Sequence, residues 1–448
     1  MTPPRSARAI VAISAAWIAI ACGRADRPAG SPDRFTDAAM LAEGARYLDD
    51  PAFRRAAVEE SFTNPSNAYS QLRLTSYGLA TKGWDLLPEW SPRSDVMTRA
   101  TAEAAAAGAA LPDPAPIWDG ARPATMEAWI ALGREVFFRY PLRKEVYVAW
   151  ALARPDDAAR VGVRAADDGT YPGVVRFVDT RGATQIGMTC AMCHADVSSG
   201  RVVVGQARRS FDYGALRLAY HAATGTSAPP DLARRMRTWG PGRADVTEDD
   251  DEDPVAIPDL WGLRHQTYLT QAGTIVHAGP ASLAIRQETQ LLTSNHKAIR
   301  PPRELAFALA MYLYALKPPP AAPPVDRADA ITRGKALFGE HCAGCHTNAA
   351  LGGDLVRAEA VDTDRALADG AARGTGKYRP PALVRVAFAA PYFHDGSVAT
   401  LDDVLSPARL EPSFKGGFLG PGPVRGHRYG TDLAAEERAA IVAYLRAL

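Results

Sequence analysis

Hydrophobic side chains recur at helical spacing along most of the chain, and the pattern of one half returns in the other. Residues 132–138 and 334–338 each place a glycine ahead of an apolar and aromatic run, and apolar segments follow at 312–316 and 444–448. This spacing is typical of amphipathic helices, in which a glycine lets a second helix approach closely. The pattern therefore predicts a mainly α protein with an internal duplication.

Two segments depart from the helical pattern. Residues 161–178 alternate in polarity around Gly169, Pro172 and Gly173, which predicts a short β-hairpin inserted in the first half. The proline-rich run at 318–324 predicts a stiff linker between the halves.

Each half also carries the motif C-x-x-C-H. On one helical turn, two thiols at this spacing can reach both vinyl groups on one edge of a porphyrin, and the histidine can bind its iron. Zinc would need a second Cys or His pair, for which His341 is the one close candidate, and a redox C-x-x-C is not normally followed by His. We therefore predict two covalently bound haem c groups. The attachment and iron-binding residues are Cys190, Cys193 and His194, and Cys342, Cys345 and His346.

The fifth cysteine, Cys22, closes an apolar run over residues 9–21 that follows a basic stretch. The run is too short to span a bilayer comfortably and is typical of a secretory signal. Ala19–Ala21 before Cys22 resembles a bacterial lipoprotein cleavage site, so we predict lipid attachment at Cys22. Plain cleavage near Ala21 and an uncleaved anchor are the alternatives. We expect a periplasmic or cell-surface protein that a lipid holds to a bacterial membrane.

The chain has 448 residues, 47% of them hydrophobic, which is enough for two or three domains. Its formal net charge of +1 gives no indication of a nucleic-acid partner. We predict two cytochrome c-like haem domains in tandem behind a helical N-terminal extension. The predicted segments are a signal peptide at 1–22, a tether (23–45) and extension up to 125, a first haem domain at 126–317, a linker at 318–325 and a second haem domain at 326–448.

The two motifs, the segment 132–138, and the segment 391–397 with Thr400-Leu401 resemble the bacterial dihaem cytochrome c peroxidase superfamily. This superfamily includes the dihaem enzyme that matures methylamine dehydrogenase and the dihaem rubber oxygenases. The resemblance implies a six-coordinate C-terminal haem that relays electrons from a donor such as a small redox protein. It also implies an N-terminal haem with an open face for peroxide or dioxygen.

Carried over to this chain, the resemblance implies His427 as the sixth ligand of the C-terminal iron, because 426–431 is similar to the rubber-oxygenase pattern. Tyr429 is a weaker rival. Trp261 matches the tryptophan that lies between the haems. Glu288 is the candidate acid for cleaving an O–O bond, although an exposed helical glutamate is the favoured interpretation.

Other residues leave alternatives open. Met236 and His221 are far enough from the first motif in sequence to bind its iron, but we favour an open position there. His277 and His394 recur at matching places and are expected to brace a haem propionate or a loop. The acidic run 248–253 suggests a calcium site, yet its contiguous spacing favours a solvated turn.

These residues favour an oxidoreductase in which electrons enter at the His346 haem and are used at the His194 haem to reduce peroxide or to activate oxygen. A non-enzymatic dihaem electron carrier is the main alternative. A rubber-oxygenase-like dioxygenase is the other, and a lipid anchor is awkward for attacking an insoluble polymer.

Overall fold

A computed structural model describes residues 32–79, 81–245, 253–320 and 327–448. The signal segment with Cys22, residues 248–252 of the acidic run and residues 321–325 of the linker lie outside the described residues.

The described residues are rich in helix. The N-terminal extension contains α1 Asp37–Asp49, α2 Pro51–Glu60, α3 Ala68–Ser76 and α4 Arg99–Ala106. The middle of the chain contains α5 Met126–Arg139, α6 Val146–Leu152, α7 Pro155–Arg160, α8 Ala191–His194, α9 Tyr213–Thr224, α10 Pro230–Trp239, α11 Pro280–Ser294 and α12 Arg303–Ala315. The C-terminal part contains α13 Ala328–His341, α14 Ala358–Val361, α15 Ala366–Asp369, α16 Leu401–Leu405 and α17 Ala435–Arg446.

The strands are short and belong to five small sheets. They are β1 Arg93–Thr98, β2 Arg143–Lys144, β3 Thr170–Val178, β4 Thr184–Met188, β5 Ala195–Ser198, β6 Arg201–Val204, β7 Arg243–Ala244, β8 Val255–Ala256, β9 Tyr268–Leu269, β10 Ile275–Val276, β11 Val356–Arg357 and β12 Lys377–Tyr378. The largest sheet has the order β1-β3-β4-β2, and Val175 pairs with both Val96 and Gly187.

The hairpin predicted over 161–178 is shifted along the chain. Its first strand, β3, begins only at Thr170, and the returning strand is β4, which runs into the first motif. β1 from the extension pairs with the other edge of β3. The sequence pattern did not predict the pairing of β1 with β3, because it joins residues far apart in the chain.

Two helix pairs cross through glycines at matching places. In the first pair, α5 meets α12 where Gly133 lies against the main-chain carbonyl of Ala308. In the second, α13 meets α17 where Gly334 lies against that of Ala440. A Cβ at either glycine would overlap the facing carbonyl oxygen, so only glycine allows this approach. The duplicated pattern in the sequence thus corresponds to the same backbone contact in each half.

The central helices α5 and α12 are held in place by burial of their apolar side chains. Thr125 caps α5 by accepting from Ala128 N, and the buried face of α5 includes Trp129, Val136 and Phe137. In α12 every residue from Leu305 to Tyr314 is buried, which is typical of a helix surrounded by protein on all sides.

The N-terminal extension packs on this core and also reaches the C-terminal part. Tyr47 and Trp84 are buried in the core cluster that contains α12. The tether predicted over 23–45 is partly helical. Helix α1 begins at Asp37, and Thr36 caps it by accepting from Ala39 N.

At its other side, the extension contacts the loop at 371–374. Ala68 N and Tyr69 N donate to the carbonyl oxygens of Ala371 and Ala372, both at 3.0 Å. The side-chain amide of Asn67 donates to Gly374 O at 3.1 Å. These bonds join the extension to the C-terminal part. Among the described residues, no helix has the length and apolar character needed to cross a membrane.

Candidate haem-binding site

The first motif forms a single helical turn between β4 and β5. His194 N and Cys193 N both donate to Cys190 O, at 3.1 and 3.3 Å, which places the three side chains on one turn. The Nδ1 of His194 lies 3.1 Å from Pro258 O, so Nε2 is the nitrogen that can bind a metal. Burial lowers the pKa of His194 to about 4, which keeps the imidazole in the neutral form that ligation requires.

The second motif repeats this geometry at the end of α13. His346 N and Cys345 N donate to Cys342 O at 3.1 and 3.2 Å. The Nδ1 of His346 lies 2.5 Å from Leu351 O, which again leaves Nε2 for a metal. Burial lowers the pKa of His346 as well. Both histidines are therefore oriented by a main-chain carbonyl, the usual way in which a protein fixes a metal-binding imidazole.

A single cavity of about 1430 Å³ reaches both motifs. The motif residues that line it are Cys190, Cys193 and His194 at one end and Cys342, Cys345 and His346 at the other. No group of three or more Cys, His, Asp or Glu in the described part of the chain is arranged to hold a metal ion. This does not favour zinc, which takes four such ligands in structural sites. An apolar cavity lined by thiol pairs and single histidines suits a porphyrin.

His427 lines this cavity, as does His346. Burial lowers the pKa of His427 to about 4, and the charge of a protonated His346 lowers it further. The Nδ1 of His427 is buried and has no hydrogen-bond partner among the described residues. A buried imidazole with an unsatisfied nitrogen fits a metal-ligand position. The rival Tyr429 is 42% exposed and donates to Ala360 O at 3.1 Å.

Trp261 lines the cavity that reaches both motifs. The indole is 3% exposed and donates from Nε1 to Val204 O at 3.1 Å. The preceding residue, Leu260, donates to Gly205 O, and Gly205 N donates to His194 O. A few residues later, His265 O accepts from the Asn348 amide beside the second motif at 2.8 Å.

Met236 and His221, the residues considered as second ligands of the first iron, do not line the cavity. Met236 is buried against the backbone of Gly214 and does not line the cavity. His221 bonds through Nδ1 to Thr226 Oγ1 at 2.9 Å and also lies outside the cavity. Met188, the last residue of β4 and two residues before Cys190, does line it.

Glu288 is buried, whereas the sequence favoured an exposed side chain. It is 1% exposed and does not line the cavity, although its neighbour Gln287 does. Tyr47 OH donates to its Oε2 at 2.7 Å, Tyr77 OH donates to the same oxygen, and Arg303 lies 3.4 Å from Oε1. The carboxylate is thus held in a buried network with the N-terminal extension and cannot reach a ligand in the cavity from this position.

The two recurring histidines have different surroundings. His277 lies outside the cavity, with Nδ1 2.6 Å from Gln266 O and Nε2 2.5 Å from Tyr314 OH, and so braces a loop. His394 lines the cavity, and its ring centroid lies 4.1 Å from that of Tyr378.

Three arginines, two of them buried, support the site and were not identified from the sequence. Arg208 donates to Ala195 O and Pro172 O, both at 2.7 Å, and so fixes the backbone on either side of the first motif. Arg409 donates to His427 O at 2.8 Å. Single arginines in irregular segments carry no sequence signal for burial, because arginines are mostly exposed.

The third, Arg379, lines the cavity and bonds to Thr270 O at 3.0 Å and Gln266 Oε1 at 2.7 Å. It forms no salt bridge with a residue that the structure describes, and burial lowers its pKa to about 10. A guanidinium that lines the cavity and has no carboxylate partner among the described residues is suited to a porphyrin propionate. The residues present therefore fit a haem group.

Comparison with known proteins supports this interpretation for part of the chain. Residues 331–448 match the family model described as "Cytochrome c". The chain is also similar to a solved structure titled "Crystal structure of a MauG-like protein associated with microbial copper homeostasis", with 21% identity and a TM-score of 0.32 over 48% of this chain and 79% of that chain. No curated protein matches. The second motif lies within the matched range, and cytochrome c domains hold haem c covalently. Residues 331–448 are therefore a cytochrome c domain.

Proposed function

We propose that the chain is an exported c-type cytochrome with two haem groups, in which the C-terminal site transfers electrons and the N-terminal site reacts with peroxide or dioxygen. The observation that carries this proposal is the asymmetry of the shared cavity. His427 lines the cavity together with His346, whereas Met236 and His221 do not line it.

Covalently bound haem supplies a redox-active iron at each motif. In the C-terminal site, His346 and His427 would bind the iron from both sides and leave no position for a substrate. In the N-terminal site, His194 would bind one side, and the large cavity leaves room for a small molecule on the other. Trp261 lines the same cavity and would offer an aromatic ring for electron transfer between the two sites.

The repeated glycine contacts support a second haem domain in the middle of the chain. Gly133 and Gly334 make the same backbone approach in two helix pairs whose residues line the cavity that reaches both motifs. We extend the cytochrome c assignment from residues 331–448 to the first motif on this basis. Export, a lipid at Cys22 and an electron donor such as a small redox protein complete the proposal, because covalent attachment of haem c takes place outside the cytoplasm.

Haem counting and EPR of the oxidised protein test this proposal. We expect two haems per chain, one high-spin and one low-spin. Replacing both cysteines of the first motif by alanine (C190A/C193A) should remove the high-spin signal, and C342A/C345A should remove the low-spin one. His427→Ala should convert the low-spin signal to high-spin. A wild-type protein with fewer than two haems would end the proposal.

Met188 favours a second candidate function, that of an electron carrier. Its thioether lines the cavity near Cys193, and thioether ligation is common in electron-transfer haem proteins. Under this alternative the wild-type protein has two low-spin signals, and Met188→Leu creates a high-spin one. If M188L leaves the spectrum unchanged, the carrier function through Met188 is excluded.

A further inference from the structure

The helices α9 and α10 form an insertion beside the first motif. The segment from His194 to Pro258 contains this helical pair, whereas the shorter segment from His346 to Pro381 contains only the two four-residue helices α14 and α15. The insertion contributes Tyr213, Arg217, Leu232, Arg235 and Trp239 to the cavity. It therefore gives the N-terminal site a wall with no counterpart at the C-terminal site.

This wall is aromatic. The ring centroids of Phe211 and Tyr213 lie 5.8 Å apart at 32°, and those of Tyr213 and Trp239 lie 5.5 Å apart at 31°. The guanidinium of Arg217 lies 5.5 Å from the Tyr213 centroid and 5.9 Å from that of Trp239. Three neighbouring aromatic rings with a cation beside two of them can receive a planar group that carries a negative charge.

Two N–H groups of this wall lack acceptors. Trp239 is 8% exposed, and its indole Nε1 is buried with no hydrogen-bond partner among the described residues. The Nε of Arg217 is likewise buried and unpaired, and Arg217 forms no salt bridge in the described part of the chain. By contrast, Tyr213 OH is satisfied, since it donates to Glu145 Oε2 at 2.6 Å. Buried donors in native proteins are usually paired, and an acceptor bound at this wall would pair with both N–H groups.

We propose that Arg217 and Trp239 bind a carboxylate group at this wall. A carboxylate supplies two acceptor oxygens and the charge that a guanidinium pairs with best. This carboxylate can belong to a porphyrin propionate or to a free aromatic acid that enters the cavity. The second source rests on the proposed function, because it makes the free acid a ligand of the reactive site.

Calorimetric titration of the haem-loaded full-length protein with benzoate tests the free-acid source. Benzamide, which has the same shape and no charge, is the comparison ligand. We expect saturable binding of benzoate at one site per chain and at least about tenfold weaker binding of benzamide. Arg217→Gln and Trp239→Phe should each weaken benzoate binding, Arg217→Gln by about tenfold. Arg237→Gln should leave it unchanged, since Arg237 is exposed on the same insertion and does not line the cavity.

The propionate source predicts a different result. Benzoate then gives no binding heat with any of these proteins, while R217Q and W239F change the midpoint potential and absorption spectrum of the N-terminal haem and R237Q does not. Two results would overturn the inference: benzoate binding that R217Q and W239F leave intact, or absence of binding together with potentials in both variants equal to those of wild type. The haem count and spin states of the wild-type protein report separately on the proposed function.

Discussion

Arg409 donates from Nη2 to the main-chain carbonyl oxygen of His427 at 2.8 Å and from Nη1 to that of Val424 at 2.7 Å. His427 has a φ of +46°, a conformation that non-glycine residues rarely adopt. The arginine thus holds the backbone that presents the His427 ring to the cavity. It positions the proposed ligand without lying among the ligands itself.

Replacing Arg409 by glutamine should loosen this loop. We expect part of the low-spin signal of the C-terminal haem to become high-spin, and the free energy of unfolding to fall by about 2 kcal/mol. EPR and denaturant unfolding measure these two effects. Arg428→Gln is the control, because Arg428 is exposed and pairs with Asp362 at the surface at 3.2 Å. Identical spectra for R409Q and R428Q would show that Arg409 does not position His427.

The helix crossings make a second prediction. Gly133→Ala and Gly334→Ala each bring a methyl group into a facing carbonyl, so we expect a loss of about 1–3 kcal/mol in the free energy of unfolding. Gly339→Ala is the matched control in α13, because a Cβ there meets no other atom within 4 Å. It should stabilise the protein by about 0.5–1 kcal/mol through helix propensity. Chemical denaturation compares the three variants, and equal losses would contradict the proposed close contact.

Local pattern was sufficient to locate the motifs and the duplicated helices. The spacing of Cys, Cys and His is itself the chemistry of attachment, and Gly133 and Gly334 each stand at a fixed place in an apolar helix. The burial of Glu288, by contrast, could not be predicted from the local sequence. Arg286, Gln287 and Glu288 form a polar run typical of an exposed helix face, and the partners that bury Glu288 are Tyr47 and Tyr77, more than two hundred residues away. Nothing local encodes such contacts.

His277 should make stability depend on pH. Burial lowers its pKa to about 4, below the value of about 6.5 in an unfolded chain. Because the folded-state pKa is the lower one, the unfolded state binds the proton first. The stabilisation is present above pH 6.5 and is lost as the pH falls from 6.5 towards 4. Between pH 7 and pH 5 we expect a loss of about 2 kcal/mol from this residue.

Denaturant unfolding of His277→Gln at pH 7 and pH 5 checks this expectation. The variant should be less stable than wild type at pH 7, since it loses the bonds to Gln266 O and Tyr314, but its stability should change less between the two pH values. His296→Gln, in an exposed turn after α11, serves as the control. If H277Q lost as much stability as the wild type between pH 7 and pH 5, the loss would have to come from other groups.

Asn67 tests the link between the extension and the C-terminal part. Asn67→Asp keeps the acceptor that caps α3 at Ser70 N, but it loses the amide that donates to Gly374 O. We expect faster tryptic cleavage after Arg373 and a loss of about 1–3 kcal/mol in stability. Gln71→Glu makes the same amide-to-acid change in α3, where the Gln71 amide bonds locally to Pro65 O. It should leave the cleavage rate unchanged, and equal rates in both variants would refute the link.

The bond between Asn64 and Gly374 O joins residues 310 positions apart. During synthesis, α3 emerges long before its partner loop exists, and closing so long a stretch of chain makes such contacts slow to form. We expect the earliest-made segment to acquire its native contacts among the last. Until that loop exists, the side-chain amides of Asn64 and Asn67 are without their acceptor on Gly374.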